Sequence, residues 1–468
     1  MRVRGLADEI YFDEIFVSKA ANRHGLCKFK QRLSEKDLPA YQSAVGKTIG
    51  AELDNGRPIF FGEVTEVSIE KNFRGSYVEV TAQSISIKTD EFSETRIFQS
   101  PEKKFNEILN SSRLNLKSCA LTLDEKFSSQ ACPEIILQHD ETNFNFIKRL
   151  AVWQGRRVWV NDTRQGKCSL KVAPCVDETP NEISDEEIIR LKLGRRGALH
   201  TAELVASKYL ELGRVLKLSG SPCKFLIVAQ EIYQDNGVDR VRFELEEFKI
   251  SPPKNFPSAA PVKLKAKVVE VEDKENFGRL RVQFDIEDKD AKKFFLPYRT
   301  PYSGIIFMPE VGDAVEIFYS SGECFVDSIL RTKTLDDEFK KVTDKYIGNN
   351  RKQRIFFREK SLEIKSTDAS IFLDDKKIIL SVGENKITLD EQGITIKTGG
   401  KILSDSKGDT SFKSDGKIIG DSKGDTTFKA DGKIIGDSKS DTTFKAGGKF
   451  SAKADGKAQI GGSSVELG

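Results

Sequence analysis

Histidine is nearly absent from this chain, with His24, His139 and His200 the only three in 468 residues. A histidine-built metal or catalytic centre therefore has little material, and each of the three reads as structural. Close cysteine pairs are missing too. The seven cysteines (Cys27, Cys119, Cys132, Cys168, Cys175, Cys223 and Cys324) are odd in number and carry no CxxC spacing, which reads as reduced thiols of a protein made in a cytoplasm. Cys168 and Cys175 are spaced to clip a hairpin, with free buried thiols as the alternative. An excess of charge of one sign is also lacking: 75 Lys and Arg stand against 72 Asp and Glu, for a net +3, so nothing here asks for a nucleic acid or an anionic membrane. No apolar run reaches the roughly eighteen residues of a transmembrane helix, and the opening MRVRGLADEIYFDEIFV carries acids where a signal peptide has its apolar core.

Catalytic motifs are missing as well. GxSxG, HExxH, the P-loop and phosphate-binding glycine patterns do not occur. His139, Asp140 and Glu141 are consecutive, so their side chains diverge; capping of the helix that follows accounts for them better than an acid–base cluster. Asp185, Glu186 and Glu187 read as an acidic cluster at a helix start rather than a cation site. The expectation is a protein that is not an enzyme, with no catalytic residue, no metal ligand and no cofactor.

What is present is a repeat near the C-terminus. From Gly400 to about Gly462 the glycines Gly400, Gly408, Gly416, Gly424, Gly432, Gly448 and Gly456 hold one eight-residue phase, and Ser440 alone stands where another is due. GKIIGDSK alternates with GDTTFKAD. Two positions after each phase residue comes Ile402, Thr410, Ile418, Thr426, Ile434, Thr442 or Phe450; two further on comes Ser404, Phe412, Gly420, Phe428, Gly436, Phe444 or Ala452. A spacing of two is a strand signature, with Lys, Asp and Ser between to meet water. Each octad thus supplies one short strand and one bend. One chain offers too few inward side chains to stand alone, whereas chains wound about a shared axis would bury Ile402, Phe412, Ile418, Phe428, Ile434, Phe444 and Phe450 as a core. A disordered Gly/Ser/Lys tail is the alternative, but disorder requires neither a kept phase nor a Phe in alternate octads.

Upstream, the length suits about three domains, and 38% hydrophobic with 31% charged residues suits an extended, multi-part molecule. Residues 1–250 read as mixed α and β. TIGAELDNGRPIFFGEVTEVSIE gives two strands around Asn55-Gly56, and another runs from Tyr77 to Ile87. A helix starts at Ser100-Pro101 with Phe105, Ile108 and Leu109 on its inner stripe, and a second spans Glu141–Gln154, ended by Gly155. Strands follow at 156–160 and in KCSLKVAP; Asp185–Leu193 fits strand or helix; Ala198–Leu212 reads as a helix; strands return at 224–233 and 238–250. Trp153 and Trp159 read as core. Residues 251–262 form a Pro-rich linker. Residues 263–332 carry five candidate strands, suggesting a small OB-fold barrel. A polar connector occupies 333–360, and period-two strands from 361 lead into the octads, so that a less regular solenoid is expected to begin before Gly400, the whole needle running over 361–468.

The order of these parts resembles VgrG, the spike of type VI secretion and related contractile injection systems, akin to the hub and spike of contractile phage tails. GRPIFFGEVTEVSIE is similar to that family's hub strand pair, QHDETNFNFIKRLAVWQGRRVWV to its helix and following strand, LPYRTPYSGIIFMPEVGDAVEIFY to its barrel segment, and the octads to its needle. Gly312 and Asp313 in the barrel segment fit a tight turn between strands. The segment before residue 48 matches weakly, and the loop between Pro301 and Pro309 is shorter than the family usually carries. The resemblance implies a mainly β fold with an α+β hub, an OB barrel and an intertwined β-helix needle, assembled as a homotrimer. It further implies an inner-tube protein and baseplate components as partners at the hub, effectors as candidate further partners, and mechanical contact with a target membrane, and leaves the cargo open. The needle has no His or Cys for a metal of its own, so a PAAR-type tip protein is expected to dock on Val465, Glu466 and Leu467. A phage or bacteriocin baseplate hub is the near alternative, and a surface adhesin the distant one.

Overall fold

A computed structural model describes residues 1–6, 12–73, 75–111, 114, 116, 119–250, 261–275, 278–286, 293–300, 307–320, 323–330, 345–349 and 352–464. Most of the linker at 251–262, most of the loop between Pro301 and Pro309, much of the connector and all of Val465, Glu466 and Leu467 lie outside these residues. The chain divides into two compact units, Met1–Leu335 and Asp336–Gly468.

The first unit is built on a sheet of twelve strands among the described residues. Its two halves meet where Glu14–Ala20 pairs antiparallel with Lys224–Asp235, in register from Phe16 opposite Tyr233 to Ala20 opposite Ala229. The hairpin around Asn55-Gly56 forms as the sequence predicts, joining Thr48–Glu52 to Pro58–Asn72. Within the second strand Gly62 is required by contact: a Cβ there would lie 2.2 Å from the Gln83 carbonyl oxygen. The strands at 224–233 and 238–250 appear as Lys224–Asp235 and Val238–Glu247, joined through Asn236 and Gly237 at φ 51° and 76°, the left-handed pair that a tight hairpin demands.

The predicted helix at Ala198–Leu212 is a strand instead, Leu199–Ala206, hydrogen-bonded on one side to Ile188–Arg196 and on the other to Val238–Glu247. Its burial alternates as far as Leu204, with Ala202 and Leu204 inside, and Val205 and Ala206 beyond are buried as well. The helical propensity of its Ala, Glu and Leu yields to pairing on both edges. Asp185–Glu187 is a single 3-10 turn, and Ile188–Arg196 that follows is a strand.

A second core gathers under the helix Asn143–Trp153. Thr142 caps it, its hydroxyl accepting the Asn145 N–H at 3.3 Å, and Gly155 ends it at φ 69°. Phe144, Ile147, Leu150 and Ala151 are all buried, as their spacing predicts. The earlier helix is shorter than expected, Phe105–Leu109, because Lys104 is extended and bridged to Ala131, which prevents a start at Pro101. Trp153 and Trp159 are both in the core, and the Trp159 indole N–H donates to the Ala173 carbonyl at 3.0 Å.

Five strands follow: Val262–Glu270, Arg279–Phe284, Leu296–Pro297, Ala314–Ser320 and Glu323–Leu330. They form one curled sheet in the order third, second, first, fourth, fifth. It closes on itself through a parallel bridge between Tyr298 and Val326, with the Arg299 N–H on the Val326 carbonyl at 3.0 Å. A five-stranded closed barrel is the OB arrangement. It is seated on the hub: Ile97, Ile135 and Leu137 join its core, and the Tyr319 hydroxyl donates to the Ile135 carbonyl at 3.1 Å.

In the second unit, seven strands from Lys345–Gly348 to Gly393–Lys397 pair in sequence as an antiparallel meander. Residues 361–397, expected to begin a less regular solenoid, therefore hydrogen-bond to one another within the chain. The octads that follow carry no strand ladder among the described residues.

Candidate functional site

The meander's register lines up its aliphatic residues. Ile347, Ile355, Ile364, Ile371, Leu380, Ile387 and Ile396 are successive cross-strand partners over all seven strands. On the same face, two residues along, Phe357, Leu362, Leu373, Ile378, Leu389 and Ile394 make a second row. Cross-strand pairs of this kind stabilise the sheet, yet much of both rows stays open to solvent, with Ile364 41% and Ile394 71% exposed. Sequence reading finds the strands but not the rows, which exist only once each short turn has set its register.

Beyond Lys397 the chain bends once every eight residues as far as residue 456. The bends fall at residues 399–400, 407–408, 415–416, 423–424, 431–432, 439–440, 447–448 and 455–456, so each phase position is the second residue of a bend, Ser440 included. Most of the earlier bends carry a local bond. The hydroxyl two residues before the phase position accepts its N–H: Thr398 for Gly400 at 3.0 Å, Ser406 for Gly408 at 3.2 Å, Ser414 for Gly416 at 3.1 Å, Ser422 for Gly424 at 3.2 Å and Ser438 for Ser440 at 3.3 Å. Ala430, Ala446 and Ala454 stand in that place before Gly432, Gly448 and Gly456 and have no hydroxyl to offer.

The phase glycines do not use glycine's conformational freedom. None of them has a φ in the left-handed region, and a Cβ at Gly408, Gly424, Gly432, Gly448 or Gly456 would meet nothing within 4 Å. A single chain gives no steric reason for them. Nor does it bury the residues expected to be core: Ile402, Ile418, Ile434 and Phe450 are 65–69% exposed, and Phe412, Phe428 and Phe444 are 79–80% exposed. Such a length of exposed apolar side chains marks an interaction surface.

In the barrel, Gly312 and Asp313 lie in a turn that leads into the strand Ala314–Ser320. Gly312 has φ 98°, and the Asp313 carboxylate accepts the Glu310 N–H at 2.8 Å. Of the acidic residues weighed as acid–base or cation-binding groups, Glu141 and Glu187 are held in structural roles. Glu141 takes a bidentate bond from Arg149, at 3.1 and 2.8 Å, and the Asp140 carboxylate, at φ 45°, accepts the Ser93 hydroxyl. Glu187 accepts the Ser184 N–H at 3.0 Å in a capping box. His24 is bound through both ring nitrogens, to Ser86 at 2.6 Å and Asp90 at 2.8 Å. Burial would raise the Asp90 carboxyl, but bonds from His24 and Thr142 hold it below the usual range. His200 departs from this pattern: with Cys223 and Glu247 it forms a cluster whose ligand-type atoms all lie within 4.8 Å of one another. No sequence spacing signals that cluster, because its members come from three separate segments.

Residues 264–325 match the model of the type VI secretion system/phage-baseplate injector OB domain. No curated protein matches the chain. Among solved structures, the chain is similar to the E. coli c3393 protein, described as a component of the type VI secretion system with structural similarity to the T4 bacteriophage tail proteins gp27 and gp5. That likeness has a TM-score of 0.51 at 13% identity and covers 70% of this chain and 99% of that one. Similarity to a Francisella PdpA–VgrG complex in its half-lidded form has a TM-score of 0.54 at 9% identity, over 82% of this chain and 83% of that one. The lidless form gives 0.52 at 10%, over 82% and 93%. At these identities the likeness is one of fold. The resemblance to a VgrG-type protein is borne out as a likeness of fold, mainly β with an OB barrel after the N-terminal α+β part.

Proposed function

We propose that three copies of this chain wind together as the central spike of a contractile injection apparatus, joining the inner tube to the tip and puncturing the target envelope when the sheath contracts. The observation that carries this reading is the pair of aliphatic rows across the seven-stranded sheet, followed without a break by octads whose large apolar side chains are all exposed. Three such surfaces facing one axis would bury what one chain leaves in water, at roughly 1.5–3 kcal/mol for each fully buried Ile or Phe. Closure into a prism would also leave no open sheet edge. Glycines with free space beside them in one chain gain a reason if a second backbone passes there. The outward Lys and Asp of each octad keep the assembly in solution and contribute little individually.

The role is mechanical rather than catalytic. Hub contacts with the inner-tube protein and baseplate and a PAAR-type tip protein on Val465, Glu466 and Leu467 would complete the assembly, with effectors as candidate further partners. A phage or bacteriocin baseplate hub would use the same physics in another particle. The test is the mass in solution by light scattering, with an unheated denaturing gel beside it. A species of three times the 52.4 kDa chain mass that resists detergent is expected; a monomer with a protease-sensitive segment after Gly400 would overturn the reading. Removing Ser463–Gly468 is expected to abolish binding of a tip protein while the trimer persists, and unchanged binding would remove the tip assignment.

A further inference from the structure

His200, Cys223 and Glu247 belong to three segments that the hub sheet brings to one end. Leu199–Ala206 pairs with Val238–Glu247 in a register that runs Thr201 to Glu246, so the next pair along is His200 and Glu247. Phe225, at the start of Lys224–Asp235, lies opposite Glu247 on the other side, and Cys223 is two residues before it. On each strand these residues continue the core-facing row: Ala202 and Leu204 on the first, Val241, Phe243 and Leu245 on the second, Phe225 and Ile227 on the third. Where the hydrophobic row ends, three residues with soft, borderline and hard donor atoms replace it.

The local structure holds them there. The His200 N–H donates to Glu247 Oε2 at 3.1 Å, and the Phe248 N–H donates to the Lys224 carbonyl at 2.8 Å, so the ladder continues past Glu247. Cys223 packs against the main core, and its N–H is bound to Ser221 Oγ at 3.2 Å. The Glu247 side chain is 13% exposed, while His200 is open to solvent. Its other acidic oxygen, Oε1, is met by Lys249 Nζ at 2.7 Å, from a side chain that is 58% exposed. A cation thus already sits at this carboxylate.

We infer that His200, Cys223 and Glu247 form a transition-metal site of the Zn²⁺ class, with an imidazole nitrogen, a thiolate and a carboxylate as three ligands and a fourth position open to solvent. Tetrahedral zinc, with bonds of about 2.0–2.3 Å, places its ligand atoms roughly 3.5 Å apart. The three atoms here lie within 4.8 Å of one another, so rotation of the exposed imidazole and withdrawal of Lys249 close the site. On binding, the thiol proton leaves to solvent and the sulfur lone pair goes to the metal, with no change of oxidation state. The ion ties together three strands of the hub sheet just before the chain leaves it toward residue 251.

Cobalt(II) alone serves as the probe, titrated into the reduced, oxygen-free full-length protein. One cobalt per chain with a thiolate-to-metal charge-transfer band is expected, and the band is lost in Cys223→Ser. His200→Gln is expected to weaken binding tenfold or more. Lys249→Ala removes the competing cation without removing a ligand, and is expected to tighten binding. Absence of the band in the wild-type protein at saturation, or its persistence in Cys223→Ser, overturns the site. An affinity unmoved by Lys249→Ala removes Glu247 from the ligand set and overturns it as well.

Discussion

Lys19 and Asp162 form a salt bridge in the hub, with side chains only 5% and 1% exposed. Asp162 Oδ2 has no hydrogen-bond partner among the described residues, and a Cβ on Gly25 would lie 2.4 Å from it. A buried pair of this kind gains little over an apolar replacement, but removing one partner strands the other. Asp162→Ala is therefore expected to destabilise the hub by about 3–5 kcal/mol in denaturant unfolding, with Lys19→Met/Asp162→Leu recovering part of that loss. Cys27 lies beside the pair. Burial first, and then the Asp162 charge, push its thiol from 9.0 up to about 12. The native state keeps this proton where the unfolded chain has lost it, so the contribution is whole below pH 9 and is lost as pH rises from about 9 toward about 12. The slope is about 1.4 kcal/mol per pH unit for one thiol. Unfolding free energies measured from pH 8 to 11 are expected to fall less steeply, by about that slope, in Cys27→Ala; an identical slope in the variant would discount the thiol.

Elements differ in how far the sequence discloses them. Asn143–Trp153 is legible because its signals are local: an apolar stripe at helical spacing and a glycine at the end; the cap, expected of residues 139–141, is the Thr142 hydroxyl instead. Thr142→Ala is expected to cost about 1 kcal/mol through the lost cap, read from the same unfolding curves. The five barrel strands were legible from alternation, and their closure follows from the Tyr298–Val326 bridge. Leu199–Ala206 was not legible. Its residues suit a helix, and only its neighbours on either side, more than thirty residues apart in sequence, make it a strand. Leu204, fully buried opposite Phe243, then becomes core, and Leu204→Ala is expected to destabilise by about 2–5 kcal/mol, a cost an exposed helical leucine would not show. His200, Cys223 and Glu247 were hidden for the same reason: the sheet, not the spacing, assembles them. The meander lies between these cases, since period two reveals each strand while the turns alone set Ile371 beside Ile364 and Leu380.

For the whole molecule, the second unit holds two apolar surfaces of different make, and they have separable consequences. The meander has its own ladders, so its aliphatic face is rigid before any partner arrives. The octads have no ladder among the described residues, and only short hydroxyl-to-backbone bonds shape their bends. In the proposed trimer, association through the meander would set the number of chains, while contacts between octads would set how slowly the chains come apart. Phe412, Phe428 and Phe444 lie sixteen residues apart on one phase of the repeat and are the bulkiest groups there. Replacing all three with serine in the full-length chain leaves the meander rows intact, so light scattering is expected to give the same trimer mass. Resistance to detergent without heating is expected to be lost, because kinetic stability depends on contacts that must break before the chains separate. Replacing Ile364, Ile371 and Leu380 with lysine is expected to abolish the trimer itself. Should the serine variant resist detergent as well as the wild-type protein does, the octads would be a solvated tail on a trimer held by the meander alone, and a rigid needle would be excluded.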